Sequence, residues 1–268
     1  MITQEDCIES IQEAADILGH SPSRPEYEDL GLSPHPTTIR KRCGNWNKAK
    51  EMAGVQTVGA GGSLSLDESF FDKIDRSESA YWLGFLYGDG TIGQHGEANY
   101  RVALRLQEED EKHIESFKSS LNADHKITRY DGVVGIKFSN QRISESLLSH
   151  GFSPGKTFSD SLPEIESDSL RSDFIRGLFD ADGHIGQYGR FNITGASRER
   201  FEKLAEWLPV ESTIVDRGDG AYTFRVGGKP QLDELQSWLY PDGEQTKPAL
   251  QRKIPTWKKK TRKSTLPK

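Results

Sequence analysis

The sequence contains few cysteines and methionines, two of each among 268 residues, and has no long apolar segment. Cys7 and Cys43 are too few for a disulfide framework or a zinc cluster, so we expect reduced thiols. No apolar run approaches the roughly 20 residues that a membrane-spanning helix needs. The acidic N-terminal stretch MITQED does not have the features of a secretory signal. These absences predict a globular, cytoplasmic protein with no membrane partner.

Basic residues are also in the minority, with 35 Lys and Arg against 41 Asp and Glu, for a net charge of −6. At face value this argues against a nucleic-acid partner. The distribution is uneven, however. Nine basic residues and no acidic one follow from Lys247 onward, which leaves residues 1–246 with a balance of −15. Because a phosphate binder needs local positive surfaces rather than a positive total, the composition remains compatible with DNA or RNA.

Two nine-residue stretches match each other position by position: WLGFLYGDG at residues 82–90 and IRGLFDADG at residues 175–183. Each is an apolar run with a small residue at its third and seventh places, and each ends in Asp-Gly. The two Asp-Gly pairs lie 93 residues apart. A repeat of that length predicts two similar domains rather than a solenoid of short units.

The small residues of these stretches predict a close contact between two helices. Gly84 and Gly88 lie four residues apart and share one helix face, and Gly177 with Ala181 repeats that face. Glycine inside a helix costs roughly 1 kcal/mol relative to alanine, so a packing reason is expected. The natural partner of each helix is the other one.

The ends of these helices carry the chemically informative residues. We expect Gly90 and Gly183 to adopt the left-handed conformation that commonly ends a helix. Asp89 and Asp182 then lie at the C-terminal ends of two touching helices, where negative charge is unfavourable. Two facing carboxylates repel unless a cation lies between them, and carboxylate and carbonyl oxygens are the ligands of Mg²⁺ or Ca²⁺.

The two stretches, at domain spacing and each followed by the same order of predicted strands and helices, resemble the LAGLIDADG homing endonuclease family in its single-chain, two-motif form. The alternative is two core helices that end in Asp-Gly turns. The resemblance covers about residues 67–255 and implies an α+β fold. Two pseudo-symmetric αββαββα domains would form a saddle-shaped antiparallel sheet surface that lies in the major groove of DNA, and a small N-terminal helical domain precedes them.

Breaks in the pattern divide the chain into six predicted segments. These are a helical domain at 1–55, a Gly-rich flexible linker at 56–65, the first motif domain at 66–152, a joint with two prolines at 153–167, the second motif domain at 168–246 and a basic tail at 247–268. We place the tail along the DNA backbone, although a solvated tail is an equally good reading.

The segment TTIRKRCGNWNKA at residues 37–49 resembles the repeat often found attached to homing endonucleases. That resemblance implies binding to DNA in the manner of a helix-turn-helix, with Arg40, Lys41 and Arg42 touching phosphates or base edges. The alternative is a solvated basic turn on a small helical bundle.

For the chemistry, the family resemblance implies that Asp89 and Asp182 hold the divalent ions, with Mg²⁺ as the expected cofactor, helped by the main-chain carbonyls of Gly88 and Ala181. Gln107 falls at the end of the second strand, where the family often has Gln, and the shorter Thr194 is taken as its counterpart.

A family lysine at the end of the fourth strand matches Lys229 in the second half. In the first half that place holds Asn140 or Gln141, with Lys137 as a substitute. These differences predict that the polar residues around the metal ions are not the same in the two halves. His95 and His184 are weaker candidates for phosphate contacts.

Residues predicted to face outward from the strands are the candidates for reading bases, since Arg pairs well with guanine and Asn with adenine. With the basic residues at the two ends of the chain, the predicted DNA-binding set is Arg40, Lys41, Arg42, Arg101, Arg105, Lys137, Arg190, Asn192, Arg225, Arg252 and Lys253.

The sequence therefore favours a site-specific DNA endonuclease that hydrolyses phosphodiester bonds on both strands of a long asymmetric target with a divalent cation. A monomer is expected because one chain carries both motifs. Two alternatives remain open: a maturase that assists the splicing of an intron RNA, and a DNA-binding regulator that has lost cleavage. Retention of both aspartates favours the enzyme.

Overall fold

The computed structural model describes residues 2–55, 65–94, 100–153, 162–186 and 188–254. The chain divides into two compact units, residues 1–64 and residues 65–268. Several predicted features fall outside the described residues. They are the linker except for Ser65, a hairpin turn predicted at Gly96, His95, residues 154–161 of the joint and the tail beyond Ile254. No helix in the part of the chain that the structure describes is long and apolar enough to cross a membrane.

The N-terminal unit is helical, as the sequence predicts. Its helices are α1 (Gln4–Leu18), α2 (Arg24–Asp29), α3 (Pro36–Cys43) and α4 (Trp46–Met52). Thr3 and Asp6 form a capping box at the start of α1, and Gly19 ends this helix with a φ of 68°. Ile11 and Ile39 belong to a buried core that includes both cysteines, with Trp46 packed at its edge.

The second unit contains two successive halves with the same order of elements. The first half comprises α5 (Ser77–Asp89), β1 (Gly90–Gln94), β2 (Tyr100–Gln107), α6 (Glu111–Ser120), β3 (Thr128–Tyr130), β4 (Val133–Phe138) and α7 (Gln141–Ser149). The second half comprises α8 (Asp168–Asp182), β5 (His184–Ile185), β6 (Phe191–Gly195), α9 (Arg198–Trp207), β7 (Thr213–Asp216), β8 (Tyr222–Val226) and α10 (Lys229–Leu239). The predicted αββαββα order is confirmed in both halves.

Each half forms one four-stranded antiparallel sheet, ordered β1-β2-β4-β3 and β5-β6-β8-β7. One face of each sheet is apolar and packs against the helices, which bury Val102, Leu104, Phe191 and Phe224. The pairing of Ala103 with Lys137 and of Asn192 with Arg225 places these four residues on the opposite, open faces. The α+β fold with two similar sheets and an N-terminal helical unit is thus confirmed.

The contact between α5 and α8 is the most extensive between any two described elements. A Cβ built on Gly84 would lie 1.9 Å from the carbonyl oxygen of Phe174, and one built on Gly177 would lie 2.0 Å from that of Tyr81. Glycine is therefore required because backbone meets backbone here. The close helix contact predicted from the sequence is confirmed.

The prediction of left-handed helix ends was wrong. Gly90 and Gly183 are extended, with φ of −78° and −79°. A Cβ on Gly90 would lie 2.5 Å from Leu86 O, and one on Gly183 would meet the ring of Phe179. Crowding against the last helical turn, rather than backbone conformation, explains glycine at both positions.

Residues 247–254, predicted as the start of a solvated or DNA-bound tail, pack together with Thr246 into the second unit. The buried guanidinium of Arg176 donates from Nε to Pro248 O at 3.0 Å and from Nη1 to Leu239 O at 3.0 Å. The Leu250 amide donates to the carboxylate of Asp180 at 2.7 Å. Ala249, Leu250 and Ile254 are buried. We call residues 246–254 the C-terminal segment.

Candidate active site

Asp89 and Asp182 end α5 and α8, and the packing of these two helices brings their ends together. A Cβ on Gly88 would lie 2.2 Å from Ala181 Cβ and 3.3 Å from the carboxyl carbon of Asp182. The small seventh residues of the two motifs therefore meet, and the end of α5 approaches the carboxylate of Asp182. Asp89 is half-buried and Asp182 is exposed, so both carboxylates remain accessible to solvent.

The two carboxyl groups interact electrostatically. Burial, and after it the negative charge of Asp182, raise the pKa of Asp89 to about 6, whereas Lys253 acts in the opposite direction. Although the Asp182 side chain reaches solvent, partial desolvation by the packed helix ends also raises its pKa, again opposed by Lys253. The site therefore favours added positive charge, as the sequence predicts for two aspartates at helix C-termini.

Lys253 provides one positive charge within this site. Its ammonium donates to the carbonyl oxygens of Phe179 at 2.9 Å, of Ala181 at 3.3 Å and of Gly183. It also lies 5.3 Å from the centre of the Phe179 ring. A cation at the C-terminal end of a helix satisfies the free carbonyls and the partial negative charge there.

Arg252 supplies a second positive charge to a further carboxylate. Its Nε donates to Asp110 Oδ1 at 2.8 Å and its Nη2 donates to Asp110 Oδ2 at 2.8 Å. Asp110, directly before α6, is only 6% exposed, and its charge contributes to the raised pKa of Asp89. Consecutive residues of the C-terminal segment thus bind one half each, Arg252 the first and Lys253 the second.

The oxygen donors suit a hard divalent cation. Carboxylates and main-chain carbonyls match the ligands of Mg²⁺, Mn²⁺ or Ca²⁺. The described residues contain no group of three His, Cys, Asp or Glu side chains placed to hold a metal. An ion here would therefore depend on Asp89, Asp182 and the carbonyls of Gly88 and Ala181, completed by water. Of these four, the Ala181 carbonyl already accepts from Lys253.

Gln107 lies at the Asp89 end of its sheet, where the prediction needs it. Gly90 pairs with Leu104, and β2 continues from there to Gln107, which is exposed. The strand register changes its counterpart, however. Thr91 pairs with Ala103, and the equivalent His184 pairs with Asn192. Four residues further along, Gln107 corresponds to Ala196 rather than to Thr194.

Lys229 does not lie near Asp182. β8 runs away from the Asp182 end of the sheet, from Tyr222 opposite Gly195 to Val226 opposite Phe191. Lys229 begins α10 beyond the far end of that strand and is exposed. The structure therefore does not join this lysine to the carboxylates, and its predicted catalytic role has no geometric support.

Asn140 and Gln141, the predicted first-half counterparts of Lys229, form hydrogen bonds within α7. Asn140 caps α7 by accepting from the Ile143 amide at 3.0 Å, and Gln141 donates to Glu145 at 2.8 Å. Lys137 is exposed on the open face of β4.

The open face of the first sheet carries a basic groove. Arg105 and Lys137 line a cavity of about 330 Å³ together with Thr128, Tyr130 and one acidic residue, Asp131. Gly135 pairs with Arg105, and a Cβ there would lie 3.0 Å from the Arg105 side chain, so the missing side chain makes room for arginine. Tyr130 is 85% exposed. Arg101, predicted on the same face, is half-buried.

On the open face of the second sheet, polar side chains form hydrogen bonds within the protein. Asn192 is buried and donates from Nδ2 to Arg190 O at 2.7 Å, and it accepts from Arg225 Nε at 3.1 Å. Arg190 is exposed and lies 6.0 Å from the centre of the Tyr188 ring. His184 is exposed on this face. For Asn192 to read a base, it would have to exchange these internal bonds.

In the N-terminal unit, Arg40, Lys41 and Arg42 are all exposed on the last turn of α3. Their placement agrees with a role in contacting phosphate, which remains a prediction.

Comparison with protein families gives a match for the N-terminal unit. Residues 2–56 match a family model described as the homing endonuclease associated repeat. The resemblance predicted for this segment is therefore confirmed. A comparison with curated protein sequences finds no match.

Solved structures similar to the chain include the homing endonuclease I-DmoI and the meganuclease I-SmaMI. One of them is I-DmoI in complex with DNA and Mn (TM-score 0.45, 20% identity, 64% of this chain and 97% of that chain). A second structure of I-DmoI, in complex with DNA and Ca, gives a TM-score of 0.44 and 19% identity, over 64% of this chain and 91% of that chain. The meganuclease I-SmaMI bound to uncleaveable DNA gives a TM-score of 0.41 and 14% identity, over 57% of this chain and 80% of that chain.

The sequence interpretation missed two features of the site. One is the ion pair between Arg252 and Asp110, and the other is the set of hydrogen bonds from Lys253 to carbonyls at the end of α8. Arg252 and Lys253 were predicted as DNA contacts, and the structure instead gives both internal partners. A basic dipeptide and an acidic residue 142 positions away show no periodicity that could connect them. The available signal was weak, because Asp110 lies in the first turn of the amphipathic helix predicted over residues 109–121.

Proposed function

We propose that this chain is a divalent-cation-dependent DNA endonuclease that cuts both strands of a long target as a monomer. The observation that carries the proposal is the placement of Asp89 and Asp182, one from each half, at abutting helix ends. One carboxylate for each half suits a reaction in which two strands are cut. The N-terminal match to a repeat described as associated with homing endonucleases supports the same function.

The chain's residues prepare the site by charge and position. Asp89 and Asp182 supply the anionic oxygens that would hold the ions, and the ions, when bound, would polarise the phosphate and activate water. Because burial and Asp182 raise the pKa of Asp89 to about 6, this carboxyl is available as a ligand mainly above that pH. Gln107, at the Asp89 end of β2, is in a position to orient a polar group of the substrate or a water molecule.

The open sheet faces would hold the DNA. Arg105 and Lys137 flank the basic groove of the first sheet, and Arg190 is exposed on the second. Arg40, Lys41 and Arg42 would add phosphate contacts from the N-terminal unit. Such contacts would give local attraction to DNA despite the net charge of −6.

The test is cleavage of a DNA library that spans the insertion locus of the gene, with Mg²⁺ present or absent. We expect one metal-dependent double-strand cut, abolished in the Asp89→Asn/Asp182→Asn double variant. Asp75→Asn, which alters an exposed carboxylate on the loop before α5, is the matched control and should cut normally. Tight, metal-independent binding to DNA or to intron RNA without cutting would contradict the proposal and favour the regulator or the maturase.

A further inference from the structure

The ammonium of Lys253 fills the end of α8 as a bound cation would. An ammonium group has three protons to donate, and the three carbonyls of Phe179, Ala181 and Gly183 accept from it. No proton is left over for a substrate or a water molecule. The geometry therefore does not suit a proton donor, and it does suit a fixed positive charge at the base of the carboxylate pair.

We propose that Lys253 is an internal competitor for the divalent cation: its ammonium occupies the Ala181 carbonyl beside Asp182, and a cation that binds there displaces it. This inference rests on the proposed function only in assuming a cation site at Asp89 and Asp182. It assigns to Lys253 a task different from the DNA contact predicted from the sequence, and it makes the two halves of the site unequal.

Electrostatics makes joint occupancy unfavourable. A divalent cation bound to Ala181 O and Asp182 would lie next to the ammonium that donates to the same oxygen. In a partly buried site, charges at such separations repel strongly, because the effective dielectric constant is far below that of water. The ammonium and the cation therefore exclude each other. The ammonium offsets one of the two carboxylate charges, whereas a divalent cation offsets both.

The surroundings of Lys253 allow the side chain to leave while the segment stays in place. On one side the Leu250 amide is held by Asp180 at 2.7 Å, and on the other Ile254 is buried. Between these anchors Gln251 and Arg252 are exposed and Lys253 is half-buried. Displacement therefore needs rotation of one flexible side chain toward solvent, without unpacking of the segment.

The two halves differ in this respect. Arg252 faces the first half and makes a bidentate ion pair with Asp110, a carboxylate that lies outside α5. A cation near Asp89 would leave that pair intact. Competition is thus expected at the Asp182 side, and the affinity for the first ion should exceed that for an ion at Asp182.

The experiment is a titration of the full chain with Mn²⁺ alone, in the absence of DNA, followed by the electron paramagnetic resonance signal of free Mn²⁺. Lys253→Met keeps the length of the side chain and removes the charge. It should bind Mn²⁺ at the weaker site at least about tenfold more tightly than the wild type. Lys247→Met is the matched control, because it removes one exposed positive charge from the same segment, and its affinity should equal that of the wild type.

Adding Asp182→Asn to Lys253→Met should abolish the gain, which locates the effect. Circular dichroism checks that the variants fold, and Lys253→Gln, which can still donate to carbonyls, serves if Lys253→Met does not. Unchanged or weaker Mn²⁺ binding in a folded Lys253 variant overturns the competition, even if the wild type cuts DNA. Binding that is insensitive to Asp182 in every variant overturns both this inference and the proposed cation site.

Discussion

Gly84 and Gly177 occupy reciprocal positions in the contact between α5 and α8, each against a main-chain carbonyl of the opposite helix. A Cβ on Gly84 would lie 1.9 Å from Phe174 O, and one on Gly177 would lie 2.0 Å from Tyr81 O. The neighbouring atoms are backbone, so they cannot rotate away. This reciprocity explains how one helix pair can hold Asp89 and Asp182 together at its end.

Replacing Gly84 by alanine should therefore force the helices apart. We expect a loss of at least about 3 kcal/mol in the free energy of unfolding, since overpacking against rigid backbone lies at the upper end of such costs. Urea denaturation measures it. Gly93→Ala is the control, because Gly93 has no atom within 4 Å of a built Cβ. Equal stability of the two variants would contradict the close-contact interpretation.

Much of the fold could be predicted because it depends on local pattern. Alternating residues between turn signals such as Asp131-Gly132 and Gly218-Asp219-Gly220 predict strands over Val133–Phe138, Thr213–Asp216 and Tyr222–Val226. In the structure β4, β7 and β8 have these bounds. The two motif helices follow from their paired small residues. Each of these signals lies within a dozen residues of the element that it predicts.

The rest depends on contacts between residues distant in sequence. Nothing near Asp180 shows that Tyr81, Tyr240 and the Leu250 amide will all donate to its buried carboxylate. The basic composition after Lys247 favoured a DNA-bound tail, yet Arg252 and Lys253 bind within the second unit. Composition reports how many charges a segment has, and it does not report which partners they find.

The pKa of Asp89 leads to a prediction about pH. Since burial and Asp182 raise this pKa to about 6, the carboxyl gains a proton below that pH and loses its value as a ligand. We expect the affinity for Mn²⁺ to fall by up to about tenfold for each pH unit below about pH 6. Titrations between about pH 7.5 and about pH 5 measure this. Asp75→Asn should keep the dependence. Asp89→Asn should weaken it and leave only the part due to Asp182. An affinity that is flat across pH 6 in the wild type would refute the assignment.

His113 provides a stability test that needs no metal ion or DNA. Burial lowers its pKa to about 4, and it packs on Trp82 and Phe85 and lies 3.0 Å from the hydroxyl of Tyr81. Because the unfolded chain takes up a proton near pH 6.5 and the folded one does not, stability falls as the pH decreases from 6.5 toward 4. Over that range, the protonation of this residue in the unfolded chain lowers the free energy of unfolding by about 3 kcal/mol. Urea midpoints for wild type and His113→Gln measure it, and a wild type that loses no more stability than the variant would contradict the assignment.

The basic groove of the first sheet predicts how DNA binding should depend on salt. Arg105→Ala and Lys137→Ala should each weaken binding and reduce the slope of log affinity against log salt by about 1, as expected when one phosphate contact is lost. Fluorescence anisotropy at several salt concentrations measures the slope. Lys203→Ala is the control, since Lys203 lies on α9 and pairs with Glu199 at 3.0 Å. An equal change in all three variants would mean that only the net charge matters.

The correspondence of Gln107 with Ala196 predicts that the two strands are cut at unequal rates. Gln107 lies at the Asp89 end of the first sheet, and the equivalent place in the second half has only a methyl group. If Gln107 positions a water molecule or a phosphate oxygen, Gln107→Ala should slow the cutting of one strand by about tenfold or more and leave the other unchanged. Ala196→Gln should speed the slower strand. Strand-specific end labels on a target duplex separate the two rates. Equal slowing of both strands by Gln107→Ala would place its effect in DNA binding, and rescue of symmetry by Ala196→Gln would show that one missing side chain accounts for the difference between the halves.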